Sequence, residues 1–165
     1  MEIIEVTDLT KKYSTRSNRL AVNHLNISIP EGQFFGLLGP DGAGKTTTLR
    51  IIATVLEPSE GNVRVSGKDV IKQAEQVRKQ IGYMPQSFSL YPDLTVDENL
   101  NFFADIQHLK KEKKKTRIEE MLRFTHLQNF RKARARVLSG GMKKKLALAC
   151  AMIHRSEERR VGKEC

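Results

Sequence analysis

Apolar residues along the chain follow two kinds of spacing, and these predict strands in the first half and helices in the second. Strands are predicted over residues 3–6, 22–29, 33–38, 62–65 and 81–84. In the second of them the inward side is marked by Val22, Leu25, Ile27 and Ile29. A short Pro-Glu-Gly segment at 30–32 predicts the turn into the third strand.

Longer segments with apolar residues three and four positions apart predict helices. They cover residues 46–56, 74–79, 96–107 and 116–124, and a last helix begins after Gly141. The apolar face of the first helix is expected at Leu49, Ile52, Ala53 and Leu56, and that of the last at Leu146, Ala149, Cys150 and Ile153. Thr95 and Glu98 form a capping box that starts the third helix. Early strands followed by consecutive helices predict an α/β core with a helical insertion.

A glycine-rich octet separates the predicted strand at 33–38 from the first helix. It fits the pattern G-x-x-x-x-G-K-[ST] and consists of Gly39, Pro40, Asp41, Gly42, Ala43, Gly44, Lys45 and Thr46. Gly42 and Gly44 let backbone N–H groups close around phosphate oxygens. Lys45 would reach the terminal phosphates, and Thr46 would place its hydroxyl on a metal ion. The octet indicates an ATP site; the competing interpretation is a glycine turn with a chance lysine.

A second glycine pattern occurs at residues 138–142, where Ser139, Gly140 and Gly141 precede the last helix. A hydroxyl and bare amides at a helix start can bind an anion. From the residues alone, an N-cap followed by a flexible turn is the favoured interpretation.

Composition sets limits on the class of protein. The chain has 165 residues, 39% of them hydrophobic and 29% charged, which predicts one globular domain. No apolar run approaches the roughly 18 residues of a membrane span, and the first residues do not form a secretory leader. Cys150 and Cys165 give neither a disulfide framework nor metal-ligand spacing, so a reducing cytoplasm is expected. Cys150 is expected to be a small core residue.

The net charge of +10 is concentrated in one part of the chain. Residues 110–154 hold 14 Lys and Arg against 3 Asp and Glu, whereas residues 1–109 hold 11 against 13. Because no aromatic residues alternate with these lysines, a solvated face or a surface near phosphates or anionic lipids is favoured over a nucleic-acid site.

Five patterns in a fixed order make the chain similar to the nucleotide-binding subunit of ABC transporters, in the bacterial multidrug-export and ABC-2-like subgroup. They are Tyr13, residues 39–47, residues 81–86, residues 90–100 and residues 138–142. The resemblance covers residues 1–154. It implies a P-loop NTPase core with an antiparallel β subdomain and a helical subdomain at about 87–145.

The resemblance also implies roles for the site residues. ATP and Mg²⁺ would be held by residues 39–47, including Thr47, with Lys45 acting on the phosphates and Thr46 on the metal. Tyr13 would stack on the adenine, and Gln86 would bridge the magnesium and the attacking water. A tyrosine at a strand edge and a surface glutamine are the competing interpretations.

Partners are implied in the same way. Ser139, Gly140 and Gly141 would face the ATP held by a second nucleotide-binding subunit, which gives a head-to-tail dimer. The helix at 96–107 and the segment before it would help present a surface to transmembrane permease subunits. The resemblance places the chain in the cytoplasm at the inner face of the membrane, with no direct nucleic-acid partner expected.

The chain departs from the family pattern after residue 154. The family continues with an apolar strand that ends in Asp-Glu and, later, a histidine, but no apolar strand precedes Glu157 and Glu158. Residues 155–165 are therefore expected to be a non-family tail of artificial origin. The chain is expected to bind ATP weakly or to aggregate, and to hydrolyse ATP very slowly. Two alternatives stay open: a soluble ABC-family protein acting on nucleic acid or ribosomes, and a non-catalytic ATP-dependent interaction module.

Overall fold

The computed structural model describes residues 2–13, 20–86 and 90–153. Contacts divide the chain into two compact units, Met1–Ile81 and Gly82–Cys165, each with its own hydrophobic core. The tail predicted at residues 155–165 lies outside the described residues.

A four-stranded antiparallel sheet makes up most of the first unit. Its strands are β1 (Glu2–Lys12), β2 (Leu20–Pro30), β3 (Glu60–Val65) and β4 (Lys68–Asp69), arranged in the order β2-β1-β3-β4. The central strand β1 pairs Val6 with Ile27 on one side and with Val63 on the other. The strands predicted at 3–6, 22–29 and 62–65 are confirmed, because the alternation of apolar residues matches the pleat of a sheet with one covered face.

Two helices cover the apolar face of this sheet. They are α1 (Lys45–Ile52) and α2 (Ala74–Arg78). Ile51 and Val77, one from each helix, are fully buried in a core with Val6, Leu9 and Val63. At about 25 cal/mol per Å², each large apolar side chain of this kind stabilises the fold by roughly 1.5–3 kcal/mol.

The first helix is shorter than predicted. It ends at Ile52, because Thr54 takes a left-handed conformation (φ 59°) and the Val55 amide donates to the Arg50 carbonyl at 2.9 Å. The buried face of this helix consists of Thr47, Thr48, Ile51 and Ile52, so Leu49, which was expected on the apolar face, is exposed.

Two predicted strands are not formed. Residues 33–38 and 81–84 have no regular structure, and Phe34 and Leu38 are almost fully exposed. A strand requires a neighbour that accepts and donates main-chain hydrogen bonds. Neither segment has such a neighbour within residues 2–13, 20–86 and 90–153. Residues 33–38 are mostly apolar, but no strand among the described residues pairs with them.

The second unit is helical. It contains α3 (Val96–Ile106), α4 (Lys111–Thr125) and α5 (Gly140–Met152), with short 3₁₀ turns at Gln128–Phe130 and Ala135–Val137. The helix predicted at 116–124 is confirmed but begins five residues earlier, at Lys111. The first turns of α4 are rich in lysine, which has good intrinsic helix propensity. They contain no apolar residues at helical spacing, so the spacing of apolar residues predicted a start that is too late.

One core holds the three helices together. Leu100 of α3, Leu122 of α4 and Leu146 of α5 are each fully buried in it. The predicted face of the last helix is confirmed, since Leu146, Ala149, Cys150 and Ile153 are all buried. Arg117 of α4 donates to the carbonyls of Met152 and Ile153 at 2.9 and 3.2 Å, which satisfies acceptors at the end of α5.

Candidate nucleotide-binding site

The glycine-rich octet forms a loop that leads into α1. Three of its residues have positive φ: Gly39 at 151°, Gly42 at 80° and Gly44 at 85°. The Ala43 amide donates to the Pro40 carbonyl at 3.3 Å and closes a turn within the loop. Residues other than glycine rarely adopt these φ values, so the conformation of the loop depends on the glycines.

Gly44 has a second reason to be glycine. A Cβ atom at this position would lie 2.2 Å from the Ala21 carbonyl oxygen and 3.2 Å from a methyl carbon of Val22. The start of α1 is therefore pressed directly against strand β2. This contact fixes the direction in which the first-turn amides of the helix point.

Those amides are open. The amides of Gly44, Lys45 and Thr46 donate to no acceptor within the described residues, and no side chain caps the helix. The Lys45 ammonium donates to the carbonyls of Gly39 and Pro40, at 2.7 Å each, so it lies across the loop. Unpaired N–H groups, the positive end of the helix dipole and an ammonium group together favour binding of a multiply charged anion.

Tyr13 lies beside this helix start. Its hydroxyl shares a hydrogen bond of 3.0 Å with the hydroxyl of Thr47, and the Lys11 ammonium lies 5.9 Å from the ring centroid. The residue as a whole is 60% exposed. One end of the side chain is thus anchored at the first turn of α1, while the ring face is accessible to a planar group.

The residues near the loop fit Mg²⁺ that arrives with phosphate. No group of three or more His, Cys, Asp and Glu residues within the described ranges could hold a metal by itself. Mg²⁺ commonly keeps several waters and takes only one or two protein oxygens when phosphates supply the others. Thr46, which is exposed in the first turn of α1, would supply one hydroxyl oxygen to such a site.

The second unit presents a different helix start at α5. The Ser139 hydroxyl accepts from the Met142 amide at 3.2 Å, which makes Ser139 the N-cap. The amides of Gly140 and Gly141 have no acceptor within the part of the chain that is described. Nothing in that part lies within 4 Å of a Cβ atom placed on either glycine. Ser139, Gly140 and Gly141 are all exposed, so another molecule could approach this backbone.

The start of α3 shows what a closed helix terminus looks like in this chain. The Val96 amide donates to the Ala133 carbonyl and the Asp97 amide to the Arg131 carbonyl, each at 3.0 Å. The predicted capping box is confirmed: the Thr95 hydroxyl accepts from the Glu98 amide at 3.2 Å, and the Glu98 carboxylate accepts from the Thr95 amide at 2.7 Å. That amide holds the pKa of Glu98 below its usual value. The α3 terminus leaves no amide for a ligand.

The remaining predicted site residue, Gln86, belongs to the second unit and is exposed. The loop and Tyr13 lie in the first unit, whereas Gln86 and residues 139–141 lie in the second. The structure brings Tyr13, Lys45, Thr46 and Thr47 together around the start of α1. It groups Ser139, Gly140 and Gly141 separately around the start of α5.

Several cations of the basic segment form ion pairs with nearby carboxylates. Lys114 pairs with Asp105 at 2.7 Å and Arg117 with Glu120 at 2.9 Å. Arg131 lies 2.8 Å from Asp97, and this carboxylate raises the pKa of its guanidinium further. Part of the block is therefore involved in structural ion pairs rather than presented to a partner.

The sequence interpretation missed Asn99, which is fully buried in the second unit. The signal was present, because Asn99 is a polar residue on the apolar stripe formed by Val96, Leu100 and Ala104. A polar residue in such a position requires hydrogen-bond partners, and these identify the loop that it holds.

The octet and the geometry of its loop are typical of P-loop proteins. Residues 22–157 match the family model described as ABC transporter, and the chain belongs to this family. Over 151 residues it is 44% identical to the probable multidrug ABC transporter ATP-binding protein YbhF of Escherichia coli K12, covering 92% of this chain and 26% of that protein. It is 36% identical to the ABC transporter ATP-binding protein NatA of Bacillus subtilis, covering 92% of this chain and 63% of that protein.

A solved structure agrees with these relatives. The chain resembles a dimeric ATP-binding cassette in a post-hydrolysis state bound to ADP and Pi, with a TM-score of 0.79 and 28% identity over 92% of this chain and 70% of the other. The predicted family and the α/β fold class with an antiparallel sheet are confirmed. Members of this family are ATPases that bind ATP.

The chain spans 26% and 63% of the length of the two curated relatives named above. Within the described ranges no helix combines the length and the apolar character needed to span a bilayer.

Proposed function

We propose that this chain is the ATP-binding part of an export transporter, in which two nucleotide-binding subunits enclose ATP and drive separate transmembrane permease subunits. Residues 1–154 would form the nucleotide-binding portion, with its helical subdomain at about 87–145. The nucleotide-binding subunits would lie in the cytoplasm at the inner face of the cell membrane. The names of the curated relatives, which include a multidrug ABC transporter ATP-binding protein, support this proposal.

The first nucleotide contact is assigned to the loop before α1. The open amides of Gly44, Lys45 and Thr46 would bind the phosphates. Lys45 would neutralise the terminal ones, and Thr46 would ligate Mg²⁺. Tyr13 would stack on the adenine. The anchored hydroxyl and exposed ring of Tyr13 support that role.

The main observation in favour of pairing between two subunits is the pair of glycines at the start of α5. Both have negative φ and face open space, so neither the backbone nor packing within the described chain requires glycine there. A helical glycine costs about 1 kcal/mol relative to alanine. A close approach from outside accounts for both glycines, and the Ser139 hydroxyl can still donate to a phosphate while its oxygen caps the helix.

Gln86 would act on the magnesium and the attacking water once the two subunits close. A polypeptide of these 165 residues alone is proposed to turn over very slowly, because a positioned general base contributes about 10²–10⁴-fold in rate and none of the described residues is assigned that role. Binding of ATP and pairing of subunits do not require that base.

The proposal is tested by the mass of the complete gene product in solution, with and without Mg²⁺ and a slowly hydrolysed ATP analogue. We expect the analogue to double the mass of the wild type. Lys45→Ala should abolish nucleotide binding and pairing together. Ser139→Ala should keep nucleotide binding but weaken pairing at least about tenfold, the equivalent of one lost hydrogen bond to a charged group.

Ser59→Ala is the matched control, because the Ser59 hydroxyl also accepts from a backbone amide, that of Lys12 at 3.0 Å. It should pair as the wild type does. A wild type whose mass is unchanged by the analogue would contradict the proposal, and so would a Ser139→Ala variant that pairs normally.

A further inference from the structure

Asn99 links α3 to the segment that precedes it. Its side chain is fully buried, and its amide nitrogen donates to the carbonyls of Tyr91, Leu94 and Thr95 at 3.1, 3.2 and 2.9 Å. Its amide oxygen accepts from the Tyr91 amide at 2.9 Å. Every polar atom of the side chain is therefore used, and all the bonds go to the main chain of residues 91–95. One residue fixes the path of that segment.

The same segment is paired with a second one, further along the chain. The Ala135 amide donates to the Leu94 carbonyl at 2.8 Å, and the Arg136 amide to the Pro92 carbonyl at 2.9 Å. Thr95 and Arg134 form an antiparallel bridge. The Val96 and Asp97 amides continue the pattern toward residues 131–133. Residues 92–97 and 131–136 thus form an antiparallel ladder of main-chain hydrogen bonds.

Side-chain ion pairs hold the two ends of this ladder. Arg131 lies 2.8 Å from Asp97 at one end, and Arg136 lies 3.3 Å from Asp93 at the other. The ladder is short and irregular, so its register depends on these contacts and on Asn99.

The ladder ends close to the Ser139 site. The buried Leu138 follows it, with its amide donating to the Ala135 carbonyl at 3.3 Å, and Ser139 comes next as the cap of α5. Only Val137 and Leu138 separate Arg136 from Ser139. A displacement of residues 91–95 would pass through the ladder to Ser139 with little flexible chain in between.

We infer that Asn99 is a positioning residue for the Ser139 site: it fixes residues 91–95, whose ladder to residues 131–136 sets where Ser139, Gly140 and Gly141 lie. The ligand class is the terminal phosphate of a nucleotide held by another subunit, so the inference rests on the proposed function. Asn99 does not touch that phosphate and acts through the main chain.

The test compares Asn99→Ser and Asn99→Ala with Thr125→Val in the complete gene product. Thr125 is a suitable control because it is also buried in the second unit, and its hydroxyl donates only within α4, to the Met121 carbonyl at 2.7 Å and more weakly at 3.5 Å to that of Leu122. Three quantities are measured: unfolding in urea, nucleotide binding, and pairing driven by the slowly hydrolysed ATP analogue. Hydrogen–deuterium exchange of a peptide covering residues 131–138 reports on the ladder.

We expect both Asn99 variants to bind nucleotide normally but to pair at least tenfold more weakly than the wild type. The backbone amides of residues 131–138 should exchange at least tenfold faster in both variants. Thr125→Val should change stability but neither pairing nor that exchange. Asn99 variants that pair as well as Thr125→Val at equal stability would overturn the inference. If Asn99→Ala fails to fold, Asn99→Ser provides the comparison.

Hydrogen–deuterium exchange also distinguishes a failure of this inference from a failure of the proposed function. If the wild type shows no nucleotide-driven pairing, the proposed function fails, and unchanged exchange in Asn99→Ser would then show independently that Asn99 does not hold the ladder.

Discussion

Replacing Gly44 by alanine tests whether the P-loop depends on the close packing of the start of α1 against strand β2. Gly44 has φ 85°, and an added Cβ would lie 2.2 Å from the Ala21 carbonyl oxygen. The obstacle is backbone of strand β2, which cannot rotate away as a flexible side chain could. The first turn of α1 must therefore move.

The size of the effect follows from two contributions. A left-handed conformation costs a residue with a side chain roughly 1–2 kcal/mol. The clash is more than about 1 Å inside ordinary contact, and relieving it adds strain on the order of 1–3 kcal/mol. We expect Gly44→Ala to lose roughly 2–5 kcal/mol of unfolding free energy. A shift of about 1 Å would break amide–phosphate hydrogen bonds, each worth about 1.5–3 kcal/mol, so nucleotide affinity should fall at least about tenfold.

Gly67 supplies the matched control. It has φ 72°, but nothing within the described residues lies within 4 Å of an added Cβ. Gly67→Ala should therefore lose only the conformational part, roughly 1–2 kcal/mol, and keep its affinity for nucleotide. Urea unfolding measures the first quantity, and titration with a fluorescent ATP analogue measures the second. The reasoning is refuted if Gly44→Ala matches Gly67→Ala in both.

Three further predictions concern the helical unit. Burial raises the pKa of the Cys150 thiol to about 12, so in a Cys165→Ser background a thiol reagent at pH 8 should label the protein only after denaturant is added; rapid labelling of the folded protein would contradict the burial. Leu146→Ala should lose about 2–5 kcal/mol of unfolding free energy, whereas Leu148→Ala on the exposed face should lose far less, and equal losses would show that the core is wrongly placed. Because the pKa of Glu98 is lowered in the fold, its contribution is complete above the ordinary carboxyl value of about 4.3 and is lost as pH falls through the folded-state value; the difference in unfolding free energy between wild type and Glu98→Ala should shrink on acidification, and a difference that grows would be evidence against the capping box.

Local features of the fold could be predicted from the sequence. The capping box at Thr95 and Glu98 and the alternating strand predicted at 22–29 depend on residues a few positions apart, so spacing reveals them. The structure of the apolar run at 33–38 could not be predicted in the same way. Its apolar residues match a buried strand, but a strand forms only where another strand pairs with it, and spacing does not report the partner.

The candidate site shows the same division. The octet predicted the loop and the start of α1 because the motif requires glycine at fixed positions. Gly44 must be glycine because it lies close to Ala21. This contact depends on how α1 packs on β2, so it is visible only in three dimensions. Asn99 was missed because its partners come from the loop at 91–95, and one polar residue on an apolar stripe does not identify them.

The central claim is that the P-loop of one copy and the Ser139 loop of another enclose the same nucleotide. Mixing two disabled variants tests it most directly. Lys45→Ala should not pair, because it binds no nucleotide, and Ser139→Ala should pair only weakly. A mixed pair contains one intact site, with Lys45 from one copy and Ser139 from the other. We predict that the slowly hydrolysed ATP analogue forms mixed pairs with one nucleotide per pair when the two variants are combined. Absence of mixed pairs, in a protein whose wild type does pair, would contradict the account.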